Sequence, residues 1–227
     1  MTQTPTEQPG DVVLLCDFDG TITEQDVGME LLRRYSRADW EVIEEPFARG
    51  EVGILHNMRA QFEHVLEDAP ELVEYARSVT TIRPGWATLV SSCEQRGVEL
   101  VVLSGGLDFY IEALLPTTDP MPEVYSLRTQ YTTAGWQVQL PWEEPPEDEK
   151  LEFKESVVAL FRRTGKRIWF IGNGNSDRGA AHVADRVWAV EPLLTYCREH
   201  GVKASEFETF DDVVRDLKAL LASPADR

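Results

Sequence analysis

Two aspartates follow an apolar run near the start of the chain, in the stretch CDFDGTIT at residues 16–23. Residues 12–15 read Val-Val-Leu-Leu, a short β-prone run that favours a buried strand of a parallel sheet over a helix. Asp17 and Asp19 therefore fall at the carboxyl end of this strand. Ligands bind at that edge of open α/β sheets, because the loops of several strands gather there. The two carboxylates are thus candidates for chemistry at a ligand site.

Three further stretches place polar or charged residues at strand ends or in adjoining loops. Ser104 follows an apolar run in VVLSGG, and Lys154 stands at the start of a predicted helix. The sequence GNGNSD, residues 172–177, follows the strand-like run RIWFI and ends in Asp177. Collected at one edge of a sheet, these residues predict a site that handles an anion.

Two other motif interpretations fail on spacing. An EF-hand calcium loop needs Gly at its sixth position and Glu at its twelfth. Counted from Asp17, those positions hold Ile22 and Gly28. A dinucleotide-binding G-x-G-x-x-G needs a third glycine where this chain has Asp177. A purely structural turn after the strand stays open as an alternative for Asp17 and Asp19.

The elements predicted around these motifs form an α/β fold. Residues 27–80 lose the strand signal and show helical periodicity, whereas strands and helices alternate after residue 86. A hairpin is predicted for EVYSLRTQYTTAGWQVQL, and a solvated loop is predicted for the acidic stretch PWEEPPEDEK. An amphipathic helix is predicted for TFDDVVRDLKALLA. We therefore predict a Rossmann-like parallel sheet in a core domain of residues 11–26 and 81–227. A helical lid domain of residues 27–80 is predicted to be inserted after the first strand, and residues 1–10 are predicted to form a flexible N-terminus.

The composition excludes several classes of partner. The chain of 227 residues has 40 acidic and 22 basic residues, and its formal charge of -18 repels nucleic acid and anionic membranes. The three cysteines, at positions 16, 93 and 197, lack the spacing of a disulfide framework or a zinc site, which favours a reducing cytoplasm. No stretch approaches the ~20 apolar residues of a membrane helix. We expect a cytoplasmic monomer or homodimer whose partner is a small molecule.

The four motifs, in their order and spacing, resemble those of the haloacid dehalogenase superfamily of phosphatases. The resemblance runs from about residue 12 to residue 190, and its first motif, DFDGTIT, is highly specific. The helical segment resembles the small lid of the phosphoserine phosphatase branch. Two stretches, SGGLDFYIEALL and AVEPLLTYCREHG, resemble the methionine-salvage phosphatases of this superfamily, which act on 2-hydroxy-3-keto-5-methylthiopentenyl-1-phosphate.

This resemblance implies a role for each motif residue. Asp17 is expected to attack phosphorus and form an aspartyl-phosphate, while Asp19 protonates the leaving oxygen and later deprotonates water. Lys154 is expected to neutralise Asp17 and the phosphoryl group. Ser104, with Gly105 and Gly106, is expected to hold phosphoryl oxygens. Gly20 and Thr21 in the turn are also expected to contact the substrate, as is Asp26 at the base of the lid.

The resemblance also implies Mg²⁺, because a phosphate dianion beside two carboxylates needs a hard cation. Its expected ligands are Asp17, the backbone carbonyl of Asp19, Asn173 and Asp177. Asn173 departs from the usual GDG of this branch, and a neutral oxygen in place of a carboxylate predicts weaker metal binding. This departure keeps open a phosphate-binding module with little turnover.

The remaining interpretations concern the substrate and the bulky residues of the helical segment. The resemblance implies hydrolysis of a small phosphorylated metabolite, with the methylthio-ketopentenyl phosphate as first candidate and phosphoserine as second. The helical segment contains four large apolar residues that we expect to form its own small core rather than a substrate pocket, namely Met29, Trp40, Phe47 and Met58. The histidines, at positions 56, 64, 182 and 200, are expected to be solvated or to cap helices.

Overall fold

The computed structural model describes residues 9–142 and 152–221. A seven-stranded sheet has the order β4-β3-β2-β1-β5-β6-β7, and all of its neighbouring strands pair in parallel except β3 and β4. The strands are β1 Val12–Cys16, β2 Glu99–Leu107, β3 Glu123–Thr132, β4 Gly135–Gln139, β5 Arg167–Gly172, β6 Arg186–Ala189 and β7 Ala204–Glu206. The predicted parallel α/β fold is confirmed.

The first strand lies at the centre of the sheet, between β2 and β5. Its four apolar residues Val12–Leu15 are fully buried, as expected for a strand covered on both faces. The predicted hairpin is confirmed, because β3 and β4 pair antiparallel and Thr132 lies opposite Gly135. The three-residue strand β7 was not predicted, because it is too short to show an alternating pattern.

Helices flank this sheet and also fill the segment between β1 and β2. Four of them form what we call the helical insertion: α1 Val27–Tyr35, α2 Trp40–Ala48, α3 Ile54–Phe62 and α4 Ala69–Val79. The others are α5 Trp86–Arg96, α6 Asp108–Leu114, α7 Phe153–Arg163, α8 Arg178–Val183, α9 Leu193–Glu199 and α10 Phe210–Leu220.

Short polar signals fix where these helices begin and end. Asp26 caps α1 by accepting a hydrogen bond from the Met29 amide at 2.9 Å. Helix α5 ends at Gly97, whose φ of +67° is the left-handed conformation of a helix stop. Among the residues that the structure describes, none of the helices has the length and apolar character needed to cross a membrane.

Parts of two predictions fall outside the described residues. The flexible N-terminus was predicted for residues 1–10, of which only Pro9 and Gly10 are described, at the start of a short 3-10 helix that ends at Asp11. The acidic loop was predicted for residues 141–150, of which 143–150 are not described. The division into a core and a lid domain stays a prediction.

Candidate functional site

The chain turns sharply where β1 ends, and this turn carries both aspartates of the first motif. The Asp17 amide donates to the Ile171 carbonyl of β5 at 2.9 Å, and Phe18–Ile22 then forms a tight turn in which Asp19 and Gly20 have non-helical backbone angles. Gly20 has φ of +72°, and a Cβ at this position would lie 2.1 Å from Nδ2 of Asn173. The turn therefore requires glycine both for its backbone conformation and for its contact with the GNGNSD loop.

The buried ammonium of Lys154 bridges two carboxylates. Its Nζ lies 2.5 Å from Oδ1 of Asp17 and 2.5 Å from Oδ1 of Asp177. All three side chains are 5% exposed or less, so water screens these charges little. Lys154 is the second residue of α7, and this helix packs against β2 and β5. Three distant parts of the sequence thus meet at one cation.

Burial controls the protonation of this bridge. Burial and the neighbouring Asp177 raise the pKa of Asp17 from 3.8 to about 7, against the opposing effect of Lys154. Burial alone lowers the pKa of Lys154, but the two carboxylates outweigh it and the pKa is raised. The ammonium therefore stays charged, and it is the main group that opposes protonation of Asp17.

Asp177 uses its second oxygen to close the GNGNSD loop. Its Oδ2 accepts hydrogen bonds from the amides of Asn173 and Gly174, each at 2.8 Å. Since its Oδ1 already binds Lys154, both carboxylate oxygens have donors within the protein. Its Oδ1 keeps a second lone pair, so the predicted contact of Asp177 with a metal would share this oxygen with Lys154 or pass through water.

Thr21 marks a point where oxygen atoms of two loops converge. Its hydroxyl lies 3.2 Å from Oδ2 of Asp17 and 3.2 Å from Oδ1 of Asn173. A hydroxyl has one hydrogen, so it donates to only one of these acceptors at a time. Two oxygens that share one donor form an all-oxygen set of the kind that Mg²⁺ prefers, and these residues therefore fit the predicted cation.

No larger ligand set accompanies these oxygens. In the described parts of the chain, no three side chains of the types His, Cys, Asp or Glu are arranged to hold a metal ion. Metal binding here would thus depend on Asp17, the Asn173 amide oxygen, backbone oxygen such as the predicted Asp19 carbonyl, and water.

Asp19 has hydrogen-bond partners that differ from those of Asp17. Its Oδ1 accepts from the Val27 amide at 3.0 Å, and its Oδ2 accepts from the Tyr110 hydroxyl at 2.8 Å. Ser104 Oγ lies 3.5 Å from the same Oδ2. Burial, then Asp26 and Asp17, raise the pKa of Asp19, although Tyr110 and Val27 oppose this. Burial therefore favours the protonated form of Asp19.

The SGG stretch lies beside Asp19 at the end of β2. Ser104 is fully buried, and its Oγ accepts a hydrogen bond from the Gly106 amide at 3.0 Å. A Cβ on Gly106 would lie 2.0 Å from the Tyr110 hydroxyl, and one on Gly105 would lie 2.9 Å from Ile54 of the helical insertion. Both glycines thus allow close contacts that any side chain would block.

Arg83 stabilises the turn, and sequence reasoning missed it. Its guanidinium donates to the carbonyls of Gly20 at 2.9 Å, Thr21 at 2.8 Å and Glu208 at 3.0 Å. Its backbone amide also donates to the Ile22 carbonyl at 2.8 Å. Nothing in the local sequence TIRPG signals this role, because the partners of the guanidinium are backbone carbonyls 62, 63 and 125 residues away in the chain.

A cavity of about 380 Å³ joins these groups to the helical insertion. Its lining includes Asp17, Asp19, Ser104 and Asn173 from the edge of the sheet, together with residues of α1, α2 and α3. Asp26 also lines it, and its contact with a substrate stays a prediction. Met58 belongs to the hydrophobic core, with Trp40 and Phe47 packed against it, in agreement with the expected core. Met58 and Phe47 also line the cavity, as does Met29.

The histidines lie outside this cavity, so far as the structure describes its walls. Nε2 of His182 lies 2.9 Å from the Tyr196 hydroxyl, and the His200 ring stacks on the Tyr196 ring with centroids 4.0 Å apart. These contacts are consistent with the expectation that the histidines do not act as ligands.

The model of the haloacid dehalogenase-like hydrolase family matches residues 14–182, well over half of the chain. The chain therefore belongs to this family, and the predicted enzyme class, a phosphoric monoester hydrolase, is confirmed. Curated relatives include a 2-hydroxy-3-keto-5-methylthiopentenyl-1-phosphate phosphatase of Bacillus mycoides, 28% identical over 92% of this chain and 97% of its own. A phosphatase of the same name from Brevibacillus brevis is 28% identical over 91% of this chain and 95% of its own.

Solved structures support the fold. A phosphoserine phosphatase determined as a phospho-aspartyl intermediate analogue matches with a TM-score of 0.67 and 18% identity, over 91% of this chain and 98% of its own. A phosphoserine phosphatase from T. onnurineus matches with a TM-score of 0.68 and 19% identity, over 96% of this chain and 98% of its own. At these identities the likeness shows a shared fold alone.

The Lys154 bridge predicts a large loss of stability in Lys154→Met. Removing the ammonium leaves two buried carboxylates without their counter-charge, which should lower the free energy of unfolding by about 3–5 kcal/mol at neutral pH. Burial raises the pKa of Asp17 from 3.8 to about 7 in the folded wild type, and without the opposing ammonium this pKa should rise further. Below about pH 7 Asp17 holds a proton in both folded proteins, so the loss should be smallest there and should grow as the pH rises through and above about 7.

Denaturant unfolding at several pH values measures this effect. Lys166→Met is the matched control, because Lys166 pairs with Glu99 at the surface at 3.3 Å and should cost no more than about 1 kcal/mol. Equal losses in the two variants, or a loss that is independent of pH, would contradict the assignment of Lys154 as the buried counter-charge.

Proposed function

We propose that this protein is a Mg²⁺-dependent phosphomonoester phosphatase that acts on a small phosphorylated metabolite through a phosphorylated Asp17. One observation carries the proposal. Asp17 is paired with a buried Lys154, while Asp19, two residues away, bonds to Tyr110 and contacts Ser104 instead. Two carboxylates in such different surroundings are suited to two different jobs, one as nucleophile and one as acid and base.

In the first step, an oxygen of ionised Asp17 attacks phosphorus as the bond to the leaving oxygen breaks. Asp19 donates its proton to that oxygen, so the leaving group departs as a neutral alcohol. Lys154 offsets charge on Asp17 and the phosphoryl group, and the SGG stretch offers the Ser104 hydroxyl and the Gly105 amide to phosphoryl oxygens. Asp19 is then ionised and ready to act as a base.

In the second step, Asp19 takes a proton from water while the water oxygen attacks phosphorus. The bond between phosphorus and the Asp17 oxygen breaks, which releases phosphate and restores the Asp17 carboxylate. When bound, Mg²⁺ would be held by Asp17, Asn173 and backbone oxygen and would supply positive charge next to the phosphoryl group. Splitting hydrolysis in this way returns both aspartates to their initial states.

The first candidate substrate is 2-hydroxy-3-keto-5-methylthiopentenyl-1-phosphate. Relatives with this activity in their names align over more than nine-tenths of this chain. The Met29, Phe47 and Met58 side chains of the cavity wall are suited to an apolar thioether chain. The stretches SGGLDFYIEALL and AVEPLLTYCREHG support the same proposal, by resemblance.

Turnover of an aryl phosphate tests the proposed chemistry. The protein with Mg²⁺ should hydrolyse p-nitrophenyl phosphate, and a chelator should abolish this activity. Asp17→Asn should lower kcat/KM by at least about 1,000-fold, because an amide cannot act as the nucleophile. Asp11→Asn, a change at an exposed aspartate just before β1, should keep the activity. Phosphate binding without any turnover would instead support the phosphate-binding module.

Asn173→Asp tests the metal site. A carboxylate in place of the neutral amide oxygen should strengthen Mg²⁺ binding, so that the Mg²⁺ concentration giving half of the ligand-induced rise in melting temperature falls severalfold. Asn175→Asp adds the same charge within the same loop and is the matched control. Equal shifts in both variants would show a general charge effect and contradict a role of position 173 as a ligand.

A further inference from the structure

Tyr110 was not among the site residues predicted from the sequence, but its hydroxyl binds the proposed acid and base. Its Oη lies 2.8 Å from Oδ2 of Asp19, and the Val27 amide lies 3.0 Å from the other oxygen, Oδ1. Oγ of Ser104 is 3.5 Å from the same Oδ2, which is too far for a strong hydrogen bond. Tyr110 is therefore the closest donor to one of the two oxygens of this carboxylate.

The ring of Tyr110 is held by buried aromatic neighbours. Tyr110 is 1% exposed, and its ring meets the Phe109 ring edge to face with centroids 5.3 Å apart. The ring of Phe18, a fully buried residue of the first motif, lies with its centroid 6.3 Å away. A side chain locked in this way presents its polar group at a fixed position. The Tyr110 hydroxyl is thus a rigid partner for Asp19.

Gly106 leaves the space that this hydrogen bond needs. A Cβ at this position would lie 2.0 Å from Oη of Tyr110 and 2.5 Å from Oδ2 of Asp19. Any residue with a side chain would therefore have to displace one of these two oxygens. The second glycine of the SGG stretch thus allows the contact between Tyr110 and Asp19.

The direction of the hydrogen bond suits the proposed reaction steps. A carboxylate only accepts hydrogen bonds, so Tyr110 is the donor whenever Asp19 is ionised. Asp19 becomes ionised as its proton passes to the leaving oxygen, and a donor at Oδ2 stabilises the charge that develops there. Each oxygen of Asp19 keeps a second lone pair that can carry the proton. Donors at both oxygens also fix the plane of the carboxylate.

We propose that Tyr110 is a positioning residue, whose hydroxyl holds the Asp19 carboxylate in the orientation that protonates the leaving oxygen. This inference rests on the proposed phosphatase function and concerns only the proton transfer to the leaving group. Tyr110 acts through Asp19 and not on the nucleophile, because Asp17 has other partners, Lys154 and Thr21. The need for Tyr110 therefore depends on how much the leaving group requires a proton.

Three phosphates with leaving groups of different acidity test this dependence. They are p-nitrophenyl, phenyl and pentyl phosphate, assayed with Mg²⁺ for kcat/KM. Nitrophenolate departs without a proton, phenolate does so less readily, and pentanol requires one. In Tyr110→Phe, which keeps the ring, kcat/KM should fall about 10–100-fold with pentyl phosphate but no more than about 3-fold with p-nitrophenyl phosphate. The loss with phenyl phosphate should lie between these values.

Tyr131→Phe is the matched control. It also removes one phenolic hydroxyl, which donates to the Leu66 carbonyl, and Tyr131 is not among the described residues that line the cavity. All three kcat/KM values of this variant should stay near those of the unmodified protein. Melting curves should show that both variants are folded.

A double variant tests whether Tyr110 acts through Asp19. Asp19→Asn has already lost the acid, so adding Tyr110→Phe should lower kcat/KM with phenyl phosphate by no more than about 2-fold, less than in the wild-type background. An additional loss as large as in the wild-type background would show that Tyr110 acts on another group and would overturn the proposal.

The possible results separate this inference from the proposed function. Failure of the unmodified protein to hydrolyse any of the three phosphates overturns the phosphatase function itself. Equal losses with all three in Tyr110→Phe, or no loss with phenyl and pentyl phosphate, overturn the role of Tyr110 alone. Comparing phenyl with p-nitrophenyl phosphate decides the point even where pentyl phosphate is a poor substrate. If Tyr110→Phe fails to fold, Gly106→Ala displaces the same contact and must show the same dependence on the leaving group.

Discussion

The site depends on one buried cation that satisfies two carboxylates. Lys154 lies at 2.5 Å from both Asp17 and Asp177, and these residues come from the start of α7, the end of β1 and the loop after β5. Burying any one of these three charged side chains alone would be unfavourable, because an isolated charge is costly to move out of water. Together they fix the geometry of the loops, since Asp177 also binds the amides of Asn173 and Gly174. Charge balance therefore links the fold of the sheet edge to the chemistry proposed there.

The two aspartates of the first motif differ because the backbone turns between them. Arg83 ties the carbonyls of Gly20 and Thr21 to that of Glu208, so the turn is held by a residue that is not among those lining the cavity. Asp17 thereby faces Lys154, while Asp19 faces Tyr110 and the end of β2. The proposed division of labour between nucleophile and proton carrier follows from this difference in partners rather than from any difference in residue type.

Local patterns in the sequence predicted much of the fold. The apolar run 12–15 marked the central strand, and parallel pairing brought Asp17 close to the GNGNSD loop as expected. Contacts with backbone atoms were not predictable, and Arg83 is the clearest case. Helical periodicity marked the apolar faces in the helical insertion but could not show that Met58, a core residue, also lines the cavity together with Met29. The hydrogen bonds of Glu44 to Asn57 and Gln61 were likewise hidden, because they join two helices through side chains of ordinary polar types.

The most direct test of the account is to locate the phosphoryl group in Asp19→Asn. An aryl phosphate has a good leaving group that needs little protonation, so the first step should proceed, whereas the second lacks its base. Labelled phosphate should therefore accumulate on the protein in a rapid acid quench, and peptide mapping should place it on Asp17. Label on any other residue, or wild-type turnover in this variant with no labelled protein, would contradict the account.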